Sequence, residues 1–206
     1  MPFYSIQGGG TWVPIGACVW DGHPCLRKIA RLQPHYGGLH HFFRRTLNLK
    51  EGSVDTLVAE ASMISAGDSL SYIASILIAL SASIRSGLTG GALSDIKRLS
   101  TARIFPVDSR GDINSFDSLQ SAGSKDFWLI ADRPHLRKCF GGRVSLLAFD
   151  PKDIGLMSDL FAHFTMNYRL LSSVASGLAL VEGSSSLHPK YTNNLRSKAY
   201  LLARYV

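Results

Sequence analysis

FWLIADRPHLRKCFGGRVSLLAF, residues 127–149, decides how the chain is read, because two apolar runs bracket a segment carrying both a start and a stop signal for a helix. Phe127, Trp128, Leu129 and Ile130 make the short, bulky apolar run of a buried strand. Asp132 is placed to cap the turns that follow, with Pro134 in the first of them, where its missing N–H is not needed. Gly141 and Gly142 supply the stop, and residues 144–149 repeat the strand pattern. The stretch therefore predicts a strand, helix and strand unit.

On either side the same signals continue. Residues 103–107 (RIFPV) predict a strand in which Pro106 marks an edge or an end, and the polar, serine-rich residues 108–126 predict a long loop or an irregular hairpin connection. Downstream, Asp150 and Pro151 start a helix with Asp153 in its first turn and Ile154, Met157, Leu160, Phe161 and Phe164 on its buried face. The pattern at 168–179 does not decide between a short helix and a strand. A glycine and serine link at 183–186 leads into a final helix. Its apolar stripe is Tyr191, Leu195, Ala199, Leu202 and Val206, with Arg196, Lys198 and Arg204 off it.

Upstream, helical signals dominate. Residues 1–16, rich in glycine and holding Pro14, read as a loose lead, with Trp12 and Trp20 as anchors and a short strand at 18–22 ending in an Asp-Gly turn. A helix is predicted at 25–30, broken by Pro34, Gly37 and Gly38. A second is predicted at 39–47, with Leu39, Phe42, Phe43 and Leu47 on its inner face. Ser53 caps a helix carrying Val54, Leu57, Val58, Ala61 and Ile64; Asp68 caps the next, at 69–85, which is expected to be central and most buried. Its apolar run is bounded by Asp68 and Arg85, short of the roughly 20 residues of a membrane span. No internal repeat occurs. The fold class expected is α+β, an N-terminal helical bundle followed by a small mixed α/β unit of about three to four short strands. Residues 12–100 would form the helical part, 101–206 the α/β part with its C-terminal helix, and 1–11 a loose lead.

A chain of 206 residues with 46% hydrophobic and 18% charged residues can bury a substantial core, which excludes a disordered or multi-span class. The net charge of +7 is dispersed in pairs such as Arg27 with Lys28 and Arg44 with Arg45, not in a phosphate-tracking stripe, so nucleic acid is not the favoured partner. The cysteines are few and odd in number, and MPFYSIQGGG has neither the basic start nor the apolar core of a secretory segment. A reducing, cytoplasmic setting is the expectation.

Three constellations could carry chemistry. Gly67, Asp68, Ser69 and Leu70 spell the GDSL motif of a lipase and esterase family, and Asp132 to His135 has the D-x-x-H spacing of that family's acid and base. Such a site would use Ser69 as nucleophile, His135 as base and Asp132 to orient it. Against it, helical periodicity precedes Ser69 where that family places a strand, and capping explains the polar residues there. Cys18, His23 and Cys25, with His35, His40 or His41, could supply a tetrahedral metal set, but the spacing matches no zinc module. No phosphate loop occurs: Gly8, Gly9 and Gly10 lack a flanking strand and helix, and Gly141 and Gly142 follow a helix instead of opening one. No cofactor is expected.

The order CVWDG (18–22), PCLR (24–27), a leucine- and phenylalanine-rich helix pair, FPV (105–107), IADRPHLRKCFGGRVSLLAF (130–149) and RLLSSV (169–174) resembles a region of very large fungal proteins related to sacsin and to the plant protein NO VEIN. His23 departs from the pattern, where a proline beside the glycine is expected. Those proteins carry a chaperone-type ATPase domain elsewhere, and its motifs are missing from this sequence, so no catalytic residue carries over. The resemblance implies a non-catalytic, interaction-prone region: a non-enzymatic intracellular scaffold or protein-interaction domain whose partners are other proteins. The exposed basic residues Arg133, Arg137 and Lys138 are the candidate docking face. A small GDSL-type hydrolase and a weak nucleic-acid-binding module are the alternatives.

Overall fold

The computed structural model describes residues 2–5, 11–88, 90–108 and 119–175. The chain divides into two units, Met1–Ala175 and Ser176–Val206. The link at 183–186 and the final helix expected from Tyr191 to Val206 lie outside the described residues, as do glycines 8–10 and the middle of the loop expected at 108–126. The first unit is α+β, combining helices with small sheets.

In the lead read as loose, β1 (Pro2–Ser5) pairs antiparallel with β2 (Thr11–Pro14), Phe3 opposite Val13 and Tyr4 opposite Trp12. Aromatic and β-branched residues favour extended backbone, and here they outweigh the glycines that suggested coil. β3 (Cys18–Val19) runs parallel to β4 (Ala30–Arg31), and Trp20 is buried in a cluster with Phe43 and Leu49. The helix expected at 25–30 does not form, because the Glu60 carboxylate accepts from the amides of residues 27–29 and holds them in irregular turns. Pro34, expected as a breaker, lies in the first turn of a short helix, α1 (Gln33–Tyr36). The helix expected at 39–47 is replaced by a 3-10 turn (Gly37–Leu39) and a π-helical turn (Phe42–Thr46). That wider pitch breaks the 3.6-residue stripe, so Phe43 is buried while Leu39 and Phe42 are exposed.

Residues 50–52 lie against the Asp-Gly turn: Trp20 N donates to Lys50 O at 2.8 Å and Gly52 N to Asp21 O at 2.6 Å. A Cβ on Gly52 would stand 2.8 Å from both Asp21 O and Gly22 Cα, so only glycine fits. Ser53 and Thr56 then close a reciprocal capping box on α2 (Val54–Ser62). The cap of α3 (Leu70–Arg85) is Ser69, not Asp68: Ser69 Oγ accepts from Tyr72 N at 3.3 Å, while Asp68 is drawn away by Ser65 N and Lys28 Nζ. Along α3, Tyr72, Ile73, Ile76, Leu77 and Leu80 are buried, and the helix packs against α2. Each such side chain contributes about 1.5–3 kcal/mol of burial. After α4 (Gly91–Arg98) the chain turns toward the sheet. No helix among the described residues is long and apolar enough to cross a membrane.

The larger sheet has β5 (Phe105–Asp108) between β6 (Leu119–Gln120) and β7 (Leu146–Leu147), both antiparallel to it. Pro106 is thus in the middle strand, not at the expected edge. Ala148 N donates to Pro106 O at 2.9 Å, and proline has no N–H to return to Ala148 O. Arg137 Nη2, from α5 (Pro134–Phe140), donates to that carbonyl at 3.4 Å, and its Nη1 donates to Phe149 O. An arginine therefore supplies the donor that the proline lacks. The strand, helix and strand unit of 127–149 is present in reduced form: Leu129 and Ile130 make isolated parallel bridges to Leu146 and Leu170. Gly142, at φ +72°, ends α5 as expected, but Asp132 does not cap it; its Oδ1 accepts from Ser172 N at 3.1 Å.

The helix expected from Pro151 is divided at Met157 (φ −92°, ψ 5°) into α6 (Pro151–Leu156) and α7 (Ser158–His163); Asp150 caps the first through Lys152 N at 2.9 Å. Gly155, just before the break, weakens helical continuity. In the described part of the undecided stretch, up to Ala175, a 3-10 turn (Asn167–Arg169) and α8 (Leu171–Val174) are helical turns, and residues 176–179 lie outside the described residues. One apolar cluster draws on Val19, α2, α3, Phe105, Trp128, Leu147, α6 and α7.

Candidate functional site

Two buried polar groups organise this unit. The first is Glu60, 0% exposed on the inner face of α2. Its Oε1 accepts from Arg27 N (2.7 Å), Lys28 N (2.7 Å) and Tyr72 OH (2.5 Å), and its Oε2 from Ile29 N (2.8 Å). Four converging donors satisfy a carboxylate that burial alone would make costly. Burial, followed by the hydrogen bond to Glu60 and its charge, pushes the Tyr72 phenol well above its usual range. The Arg27 guanidinium lies over the Tyr72 ring, 4.9 Å from its centroid, placing a cation near the carboxylate.

The second is Arg169, 2% exposed at the end of the Asn167–Arg169 turn. Its guanidinium carbon lies 4.6 Å from the Trp128 ring centroid, 5.4 Å from Tyr168 and 5.5 Å from Phe127. Nη1 donates to Trp128 O at 2.9 Å, Nη2 to Ser124 O at 3.1 Å and Nε to Tyr168 OH at 3.3 Å. Among the described residues no carboxylate pairs with it. Three rings and three oxygens thus replace a counter-ion. Trp128 is buried, but Phe127 and Tyr168 remain 60% and 55% exposed, so two aromatic rings are presented at the surface on a cationic anchor.

Ser69 serves as helix cap, Asp132 bonds Ser172 N, and among the described residues no hydrogen bond links Ser69, His135 and Asp132. His23 Nδ1 accepts from Cys25 N at 3.3 Å and lies 2.9 Å from Cys25 Sγ. Burial and, after it, the Glu60 charge push the Cys25 thiol up. Cys18, also pushed up by burial, bonds Pro14 O within another cluster. Among the described residues no group of three or more His, Cys, Asp and Glu side chains could hold a metal ion. Of the basic residues, Arg133 and Lys138 are exposed, whereas Arg137 is tied to Ala148 O and Phe149 O.

A family model described as a domain of unknown function (DUF8348) matches residues 55–175, more than half of the chain. The chain belongs to that family. No curated protein and no solved structure matches it. The DUF8348 span holds Glu60, Tyr72, Phe127, Trp128, Tyr168 and Arg169, whereas the amides of 27–29 that bind Glu60 precede it. Sequence reasoning missed both buried groups. For Glu60 a signal was there: it stands at i+3 from Leu57 and four before Ile64, on the stripe that faces the core.

Proposed function

We propose that this DUF8348 domain is a non-enzymatic intracellular protein-interaction module, of the non-catalytic kind that the resemblance to sacsin- and NO VEIN-like proteins implies. The observation that carries the reading is the exposed pair Phe127 and Tyr168 stacked on buried Arg169. Exposed aromatics normally pay rotamer entropy when a partner covers them. Here the rings are already held, so little further ordering is needed, and aromatic side chains with arginine are the commonest binding anchors. Arg133 and Lys138 are also exposed, and their charge would steer an acidic partner.

The experiment is site-specific photocrosslinking of the full chain in its own cells, with benzoyl-phenylalanine at position 127 and, as a control, at exposed Lys97. A partner protein crosslinked from 127 but not from 97, and lost in Tyr168→Ala, is the expected result. Equal adducts from both positions, or none from 127, would refute the surface.

A further inference from the structure

From the cleft beside Asp132 we infer a binding site for a lysine side chain of a partner protein. Asp132 lines two adjoining clefts, an inner one of about 160 Å³ and an outer one of about 360 Å³ bordered by Pro134, Asp150 and Lys152. The walls of the inner cleft are apolar, from Ile154, Phe161 and Leu170. A space of that size is below the roughly 300–1,000 Å³ of sites for drug-sized ligands, and it suits a single long side chain. A lysine would lay its aliphatic stem on those walls and bring its ammonium to the carboxylate.

The carboxylate itself selects between the cations. Oδ1 is taken by Ser172 N at 3.1 Å, while among the described residues Oδ2 has only Arg133 Nε at 4.0 Å, on a side chain 62% exposed and easily displaced. One available oxygen suits an ammonium point charge and cannot give the two parallel bonds that favour arginine. This inference rests on the interaction reading for the source of its lysine, but it involves neither Phe127 nor Tyr168, so either can fail alone.

Gly155 supplies a clean test variant. It lines the inner cleft, and a Cβ built on it meets nothing within 4 Å. Gly155→Leu therefore adds an apolar side chain at the lining of the cleft from a position where its Cβ meets no clash, and it raises helix propensity. Asp132→Asn keeps an oxygen for Ser172 N and removes only the charge. Amide chemical shifts of the full chain would be followed during titration with Nα-acetyl-lysine methylamide, its arginine and norleucine counterparts, and n-butylammonium. The expected result is saturable shifts at Gly155, Ser158 and Asn167 with the lysine probe, at least about tenfold weaker in Asp132→Asn and Gly155→Leu. Arginine should bind more weakly and norleucine not at all. Absence of saturable shifts, indifference to both variants, or arginine binding as well as lysine would overturn the assignment. Response to n-butylammonium without response to blocked lysine would overturn it too, by assigning the cleft to a free amine.

Discussion

Replacing Glu60 by glutamine tests whether the second carboxylate oxygen matters, because the isosteric change alters little else. The carbonyl oxygen of glutamine can keep the three donors now on Oε1, from Arg27, Lys28 and Tyr72. Its amide nitrogen would then face the Ile29 N–H, donor against donor, in place of the present 2.8 Å bond. One hydrogen bond to a charged group, worth about 1.5–3 kcal/mol, is lost and the other three become neutral. Relief from burying a charge offsets part of this, and the expected net cost is about 2 kcal/mol. Glu60→Ala leaves all four donors without a partner. Arg27 and Lys28 lie at the surface, where water can reach them, so the cost is about 4–6 kcal/mol and not the full sum. Tyr72→Phe removes one donor and leaves three, for about 1–2 kcal/mol. Urea unfolding followed by circular dichroism, with a shared slope, gives the three values, and amide exchange at Arg27, Lys28 and Ile29 should quicken most in Glu60→Ala. A Glu60→Gln midpoint within about 0.5 kcal/mol of the parent, or a Tyr72→Phe cost above that of Glu60→Gln, would refute the reasoning.

Alkaline pH should destabilise the fold. Tyr72, Cys25 and Cys18 all have raised values in the folded chain, so the unfolded chain loses these protons first and stability falls as pH rises above about 8.5 for the thiols and about 10 for the phenol. Urea midpoints from pH 8 upward should decline, and Tyr72→Phe should flatten the upper part of that decline. Arg169→Met should cost about 2–4 kcal/mol, because Trp128 O and Ser124 O lose their donors, whereas Phe127→Ala, at a ring 60% exposed, should cost less than about 1 kcal/mol; the reverse order would remove Arg169 as the anchor. Gly52→Ala should cost about 1–3 kcal/mol through the 2.8 Å approach to Asp21 O and Gly22 Cα, read from the same unfolding curves.

Legibility followed the range of the interaction. Signals that act within one turn, such as Ser53 before α2, Asp150 before Pro151 and the glycines after α5, were readable and hold in the structure. Signals that lose to a distant partner misled. Asp68 and Asp132 both looked like caps, yet Lys28 and Ser65 take the first, and Ser172 takes the second. The helix expected at 25–30 fails for the same reason, since the competing acceptor lies more than thirty residues away on α2. Apolar periodicity predicted α3 well and failed at 39–47, where the π-helical turn has no counterpart in a 3.6-residue pattern.

The candidate surface was hidden for a related reason. Phe127 and Trp128 share one apolar run, and alternation alone does not say which faces outward. In the structure Arg169, forty-one residues away, donates to Trp128 O, with Trp128 buried and Phe127 exposed. The same logic joins Pro106 to Arg137: a strand proline looks like an edge until a helix arginine supplies the missing donor to Ala148 O. In both cases an arginine completes backbone hydrogen bonding inside the unit. The +7 charge therefore overstates what is free to attract a partner, since Arg137 and Arg169 are both committed within. Under the proposed interaction reading, that shifts the weight of recognition from the scattered positive charge to the exposed aromatic pair over Arg169.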